Sequence, residues 1–303
     1  MSDELFAEEK ERLSETLSED DPPNVAVVSE PYAGREMLVD TAFEVLGENT
    51  ERVEFSSVAD AGERADYETF TEENVCVEGC EYLYTRRIDG FEPLESFIDA
   101  VAESDTTFVA SWNSYAWSYV EHATDVDDVF QEVVILSEVG VRRIADVLSE
   151  EYDVSEFDDD LRQLEEKEEP NRVETLAFDY LPFDLWRLFY EEADNVFERI
   201  TARSGGNAGV ARAVFENRTW EDEPEDDETE LSYEDAFALS VVVTKEVVRR
   251  DVLETVVAPR SLEKTLRRLS DAGFVELDGE RVTLRPVRLV RAVKSLERRN
   301  LVW

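Results

Sequence analysis

Short apolar runs alternating with stretches of helical periodicity are the feature that most restricts what this chain can fold into. Residues 24–29 (NVAVVS), 52–58, 74–78 (NVCVE), 107–111 (TFVAS) and 132–136 each read as a buried strand. Between them lie a helix expected over 34–46, a pattern in which Phe91, Leu94, Phe97, Ile98 and Val101 recur at helical spacing, and a helix expected near 139–152. Strands this short, separated by helices, imply an α/β fold with a mostly parallel sheet and helices on both faces. Ligands of such sheets bind beyond the carboxyl ends of the strands. That edge gathers residues 29–36, 78–81 and 111–113.

Charge sets the setting in which these elements must fold. The 303 residues carry 75 Asp and Glu against 31 Lys and Arg, a net charge of −44, while 42% remain hydrophobic. The chain is thus too apolar for disorder and long enough for two or three cores. Repulsion at this charge weakens a compact state unless salt screens it, and near 1 M the Debye length is about 3 Å. The acidity therefore reads as halophilic adaptation to a salt-rich cytoplasm, and the preference for Arg supports it: the only Lys residues are Lys10, Lys167, Lys245, Lys264 and Lys294. Most carboxylates are then solvated surface, and 221–230 (EDEPEDDETE) is expected to be a linker rather than a metal site.

Several chemistries drop out. No window approaches the roughly 18 apolar residues that span a bilayer, and the acidic N-terminus has no signal-peptide core, so a cytoplasmic protein without membrane contact is expected. Cys76 and Cys80, four apart, fit neither a disulfide framework nor a four-ligand zinc site. They are expected to be reduced, and no metal site is assigned. His122, the single histidine, lies in SYAWSYVEHA with no nucleophile motif beside it.

The turn after the first strand carries more information. A P-loop aims backbone N–H groups at phosphate from a Gly-rich strand-to-helix turn, adds a Lys for the β/γ-phosphates and holds Mg²⁺ with Ser or Thr. The matching segment here is Ser29-Glu30-Pro31-Tyr32-Ala33-Gly34-Arg35-Glu36. Gly34 is kept, Arg35 stands at the Lys position and Glu36 at the hydroxyl position. Residues 75–83 (VCVEGCEYL), ending in Glu78 and Glu81, look like a Walker B strand, and 107–113 (TFVASWN) resembles a sensor 1 strand with Asn113 at the polar position. Residues 200–215 (ITARSGGNAGVARAVF) resemble the Gly-Gly-Asn turn of a helical lid, with Arg212 near the sensor 2 position.

In that order, across about 24–220, these segments resemble the AAA+ and STAND-type P-loop ATPases. The resemblance implies a P-loop-type sheet, a helical lid, and ATP or ADP as ligand at Gly34, Arg35, Glu36, Glu78, Glu81, Asn113 and Arg212. The lost hydroxyl leaves Mg²⁺ without its usual ligand, and Gly79 stands where the family carries its catalytic Glu. Efficient hydrolysis is therefore not expected, and no catalytic residue is assigned.

The C-terminal end reverses the charge trend, with 11 Lys and Arg against 6 Asp and Glu over 259–303. Residues 259–272 (PRSLEKTLRRLSDA), 273–277 (GFVEL) and 278–284 (DGERVTL) resemble a winged helix-turn-helix: recognition helix, strand, Asp-Gly turn, strand. Leu262, Leu266 and Leu269 form its inward stripe, with Arg260, Lys264, Arg267 and Arg268 opposite and Arg281 and Arg285 near the wing. The expected partner of this face is double-stranded DNA, with a protein as the alternative. The expected organisation is an acidic lead-in at 1–23, an α/β domain at 24–157, a helical lid at 158–220, the linker at 221–230 and a winged-helix domain at 231–303. Function is expected to be that of a regulatory nucleotide-binding or pseudo-ATPase module coupled to the winged helix. A DNA-binding regulator without nucleotide, a protein-interaction adaptor, and an ATPase using Arg35, Glu78 and Glu81 remain as alternatives.

Overall fold

The computed structural model describes residues 5–63, 72–166, 193–221 and 231–302. Residues 1–4 of the lead-in, 167–192, and the expected linker beyond Glu221 lie outside the described residues. The chain divides into two compact units, one made of 6–137 with 229–303, the other of 138–228 with 1–5.

In the first unit, helices α1 (Ala7–Leu17) and α2 (Glu36–Leu46) accompany a five-stranded parallel sheet. Its strands are β1 (Val25–Ser29), β2 (Thr50–Glu54), β3 (Asn74–Glu78), β4 (Thr107–Asn113) and β5 (Glu132–Ile135), in the order β2-β3-β4-β1-β5. Val25 lies opposite Val109 of β4 on one side and Glu132 of β5 on the other. All five residues of β1 are buried, as a strand covered on both faces must be. The parallel α/β architecture expected from the apolar runs is present.

The second strand departs from its apolar pattern: it starts at Thr50 and stops at Glu54. Ser56 and Ser57 turn the chain there and start α3 (Val58–Glu63). The Ser57 hydroxyl accepts from the Asp60 N–H at 3.2 Å, while the Asp60 carboxylate accepts from the Ser56 N–H at 3.2 Å. A reciprocal cap of this kind outweighs the strand preference of Phe55 and Val58.

Helices α4 (Glu92–Glu103), α5 (Ser114–Ala123) and α6 (Val126–Val129) complete the α/β part. Ala26, Val28, Val75, Val77, Ala110 and Trp112 of the sheet share one core with Leu94, Phe97, Ala116 and Trp117 of α4 and α5. Trp112, Trp117 and Phe130 meet edge to face at centroid distances of 5.5 to 6.4 Å. Helix α2 lies against β3 and β4, and α1 against α2 and β5. Cys76 and Cys80 are free, buried thiols, and burial pushes the Cys76 thiol up to about 12.

The second unit is helical where described: α7 (Val141–Glu151), α8 (Asp158–Glu166), α9 (Val196–Ser204) and α10 (Ala208–Glu216). The Gly205-Gly206-Asn207 turn joins α9 to α10. Gly205 and Gly206 have φ of +64° and +74°, and a Cβ on Gly206 would stand 2.9 Å from the Cβ of Glu138. Asn207 caps α10 by accepting from the Val210 N–H at 3.1 Å.

The chain then returns to the first unit with α11 (Tyr233–Lys245), β6 (Val247–Arg249), α12 (Arg250–Val256), α13 (Pro259–Asp271), β7 (Val275–Asp278), β8 (Arg281–Leu284) and α14 (Leu289–Glu297). The Asp-Gly hairpin joins β7 to β8, and β6 adds on the other side of β8 in an antiparallel sheet of order β6-β8-β7. Helix α11 is buried nearly all round, from Ala236 through Lys245 apart from Phe237, because it packs on α5, α13 and α14 at once. No described helix is long and apolar enough to cross a membrane.

Candidate functional site

At the carboxyl edge of the parallel sheet, the turn between β1 and α2 takes a shape that few residues permit. Gly34 has φ of +103° and Tyr32, without the freedom of glycine, +67°. The turn is pinned from two sides: the Tyr115 hydroxyl donates to Glu30 Oε1 at 2.8 Å and the Tyr32 hydroxyl donates to the carbonyl of Leu284 at 2.7 Å. After β3, Gly79 has φ of +75°, and a Cβ there would lie 2.2 Å from the carbonyl oxygen of Phe55. No side chain, a catalytic Glu included, fits at 79. The 3₁₀ turn over Cys80–Leu83 carries Glu81 inward instead.

Arg35 is held between two carboxylates. Its guanidinium donates to Glu81 Oε1 at 2.5 Å and to Glu246 Oε1 at 2.8 Å. Glu81 is 1% exposed, and its second oxygen accepts from the Asn113 N–H at 3.4 Å. The Asn113 side chain donates to the carbonyl of Val243 at 2.9 Å and accepts from the Tyr115 N–H at 3.0 Å, capping α5. Lys245, buried, donates to the carbonyls of Glu81 and of Tyr84, the latter at 2.8 Å, and sits 4.4 Å from the Tyr84 ring centroid. The Tyr82 hydroxyl is within 2.9 Å of the Lys245 carbonyl and 3.1 Å of that of Val247.

Burial and neighbouring charge compete in this network. Burial disfavours the Arg35 charge, but Glu81 and Glu246 more than offset it and hold the guanidinium protonated. Burial raises the Glu81 carboxyl above its ordinary range against the pull of Arg35. It lowers Lys245 to about 7, against the pull of Glu81. Tyr82 and Tyr32 are pushed up, chiefly by burial. Arg35 is thus flanked by Glu81 and Glu246, with Lys245 on the Glu81 carbonyl, at the carboxyl edge of the sheet.

No family model and no curated protein matches the chain. Solved structures do. The RuvB Holliday junction branch migration motor of Thermotoga maritima aligns at 13% identity and TM-score 0.38, over 96% of this chain and 94% of that one. The Orc1 protein of Aeropyrum pernix, solved in complex with DNA, aligns at 13% identity and TM-score 0.42, over 97% and 94%. Cdc6p of Pyrobaculum aerophilum aligns at 11% identity and TM-score 0.41, over 99% and 96%. At these scores the chemistry of the site rests on its own geometry.

Of the residues singled out in the sequence, Arg35, Glu81 and Asn113 meet in the network, beside the Gly34 turn. Glu36 is exposed at the start of α2. Glu78 is bound by Arg52 at 2.6 Å, which also binds Asp40 at 2.7 Å. Arg212, in the other unit, is bound by Glu151 at 2.7 and 2.9 Å. Tyr32, Tyr82, Lys245 and Glu246 were not singled out. One signal was available, a Lys closing the apolar run ALSVVVT in a chain nearly devoid of Lys.

On α13, Arg260, Lys264 and Arg267 are exposed on one face. Arg268, expected beside them, is taken up elsewhere: it grips Asp235 with Nε–Oδ2 at 2.9 Å and a second nitrogen on Oδ1 at 2.5 Å. Asp235 is also the third residue of α11 and closes its capping box with Ser232. Arg268 therefore ties α13 to α11 and leaves the open face. Arg281 and Arg285 are exposed on and just after β8.

Proposed function

We propose that this chain is a DNA-binding regulator in which a degenerate nucleotide-type α/β module of AAA+ or STAND character seats a winged-helix output domain and does not turn over ATP. The observation that carries the reading is Arg35: standing where a P-loop has its Lys, it is bound by Glu81 from the α/β part and by Glu246 from the end of α11. A triphosphate at this edge would have to displace Glu246 and then meet Glu81, both repulsive to it. Position 79 adds no base, since no side chain fits there.

The C-terminal segment supports the output role. Helix, strand, two helices and a hairpin, with the three strands in one antiparallel sheet, is the succession of a winged helix. Its third helix, α13, has Arg260, Lys264 and Arg267 open, spaced so that they share one side. A helix of this kind reads the major groove while nearby cations hold the phosphates. In molar salt, phosphate contacts alone contribute little, because counterion release is then weakly favourable. Base or shape contacts from this face would carry the affinity.

The test is retention of genomic fragments by the full chain in molar KCl. Lys264→Glu with Arg267→Glu is expected to abolish retention and leave the melting temperature unchanged, and phosphate release from Mg-ATP is expected at background. Recovery of a protein partner instead of DNA, lost in the same variant, would turn the reading to an adaptor. Turnover that disappears in Glu81→Gln would restore the ATPase.

A further inference from the structure

A cleft lies beside the Arg35 network, with Tyr82 common to both, between the turn after β2 and the sheet formed by β6 and β8. It has a volume of about 350 Å³ and is lined by Ser56, Ser57, Val58 and Tyr82 from the α/β part and by Arg249, Arg281 and three valines from the C-terminal part. We propose that this cleft binds a small phosphate monoester with an apolar body, its phosphate on Arg249 and Arg281 and its body on the valine wall.

Cross-strand geometry is the first argument. Arg249 and Arg281 are direct partners in the antiparallel β6–β8 register, and like charges placed opposite one another destabilise a sheet. Such a pair is held in place more cheaply when a dianion sits between the guanidiniums, whose planar forks match phosphate oxygens. Each Arg also has a carboxylate beside it: Asp251 accepts from Nε and one terminal nitrogen of Arg249 at 3.0 to 3.2 Å, with both side chains about half exposed, and Asp278 of β7 lies opposite Arg281. An exposed pair of that kind is weak and orients Arg249 without removing its charge.

Size and wall chemistry narrow the ligand. Small-molecule sites run from about 300 to 1,000 Å³ and combine apolar walls with a few convergent polar groups. This cleft sits at the lower end, with Val58, Val247, Val248 and Val252 as the wall. That is room for one small ester and too little for a duplex. The cleft is bounded by both the α/β part and the C-terminal part of the same unit, so a bound ester would brace them against each other.

The experiment uses the full chain in molar KCl, with phenyl phosphate as probe and phenol and inorganic phosphate as partial ligands. Phenyl phosphate is expected to raise the melting temperature with saturation, phenol not at all, and inorganic phosphate less. In Arg281→Gln with Arg249→Gln the apparent affinity is expected to fall at least tenfold. No response to phenyl phosphate, or one that survives in the double variant, overturns the proposal, as does a response confined to a short DNA duplex. Arg281 also belongs to the expected DNA face, so the two readings are separated by their own readouts: phenyl phosphate and the melting temperature report on the cleft, DNA retention in Lys264→Glu with Arg267→Glu on the α13 face.

Discussion

Removing Arg35 is expected to cost more than any contact it makes, because Glu81 and Glu246 would be left facing each other, Glu81 fully buried. Breaking a buried pair in this way typically costs about 3–5 kcal/mol. Arg35→Ala is therefore expected to shift the denaturant midpoint by an amount in that range, with Arg35→Ala plus Glu81→Leu recovering part of it. Lys245 gives a pH signature. Burial sets its folded value at about 7, below the ordinary 10.5. Between the two, the unfolded chain holds a proton that the folded chain has released, so stability rises with pH across that window, by at most about 1.4 kcal/mol per pH unit. Glu81 acts in the opposite sense at lower pH: its carboxyl is raised above the ordinary 4.5, the folded state holds the extra proton, and stability falls as pH climbs through that interval. Chemical denaturation across pH should trace a dip followed by a rise, and Lys245→Met should remove the rise. A profile identical in wild type and variant would contradict the assignment.

At the level of elements, α11 and α13 are joined by one carboxylate with two roles. Asp235 closes the capping box of α11 and receives both arms of Arg268, and those contacts hold its carboxyl below the usual range. Loss of a cap costs about 0.5–2 kcal/mol, and residues that share a network couple by about 0.5–3 kcal/mol. Asp235→Ala and Arg268→Ala are each expected to destabilise, with the double variant costing less than their sum. Arg267→Ala, one residue away, should stay within about 0.5 kcal/mol of wild type. Thermal denaturation of the four proteins decides it, and strict additivity would show that the pair is not formed. Periodicity on α13 could separate Leu262, Leu266 and Leu269 from the polar side. It could not tell Arg267 from Arg268, because the distinction is made by an acid 33 residues upstream.

Across the whole molecule, a charge of −44 on 303 residues makes compactness depend on screening. Lowering KCl from about 2 M to about 0.1 M lengthens the Debye range to about 10 Å, and the melting temperature is expected to fall steeply along that series. A flat dependence would remove the case for salt adaptation. The sequence by itself determined the parallel α/β architecture, since buried strands are local apolar runs whose burial on two faces leaves no alternation to read. It also determined the hairpin after α13 through its Asp-Gly pair. Position within those elements was less legible: β2 shifted because a serine cap competed with it, and β6 is too short to stand out before β8 pairs with it. Only the tertiary structure decided what fills the carboxyl edge of the sheet. Pleat and the turn at Gly79 send Glu78 to Arg52 and Glu81 to Arg35, while Lys245 and Glu246 arrive from a helix more than 160 residues away. Local pattern encodes which residues are buried, whereas the partner of a buried charge is set by whichever distant segment packs against it.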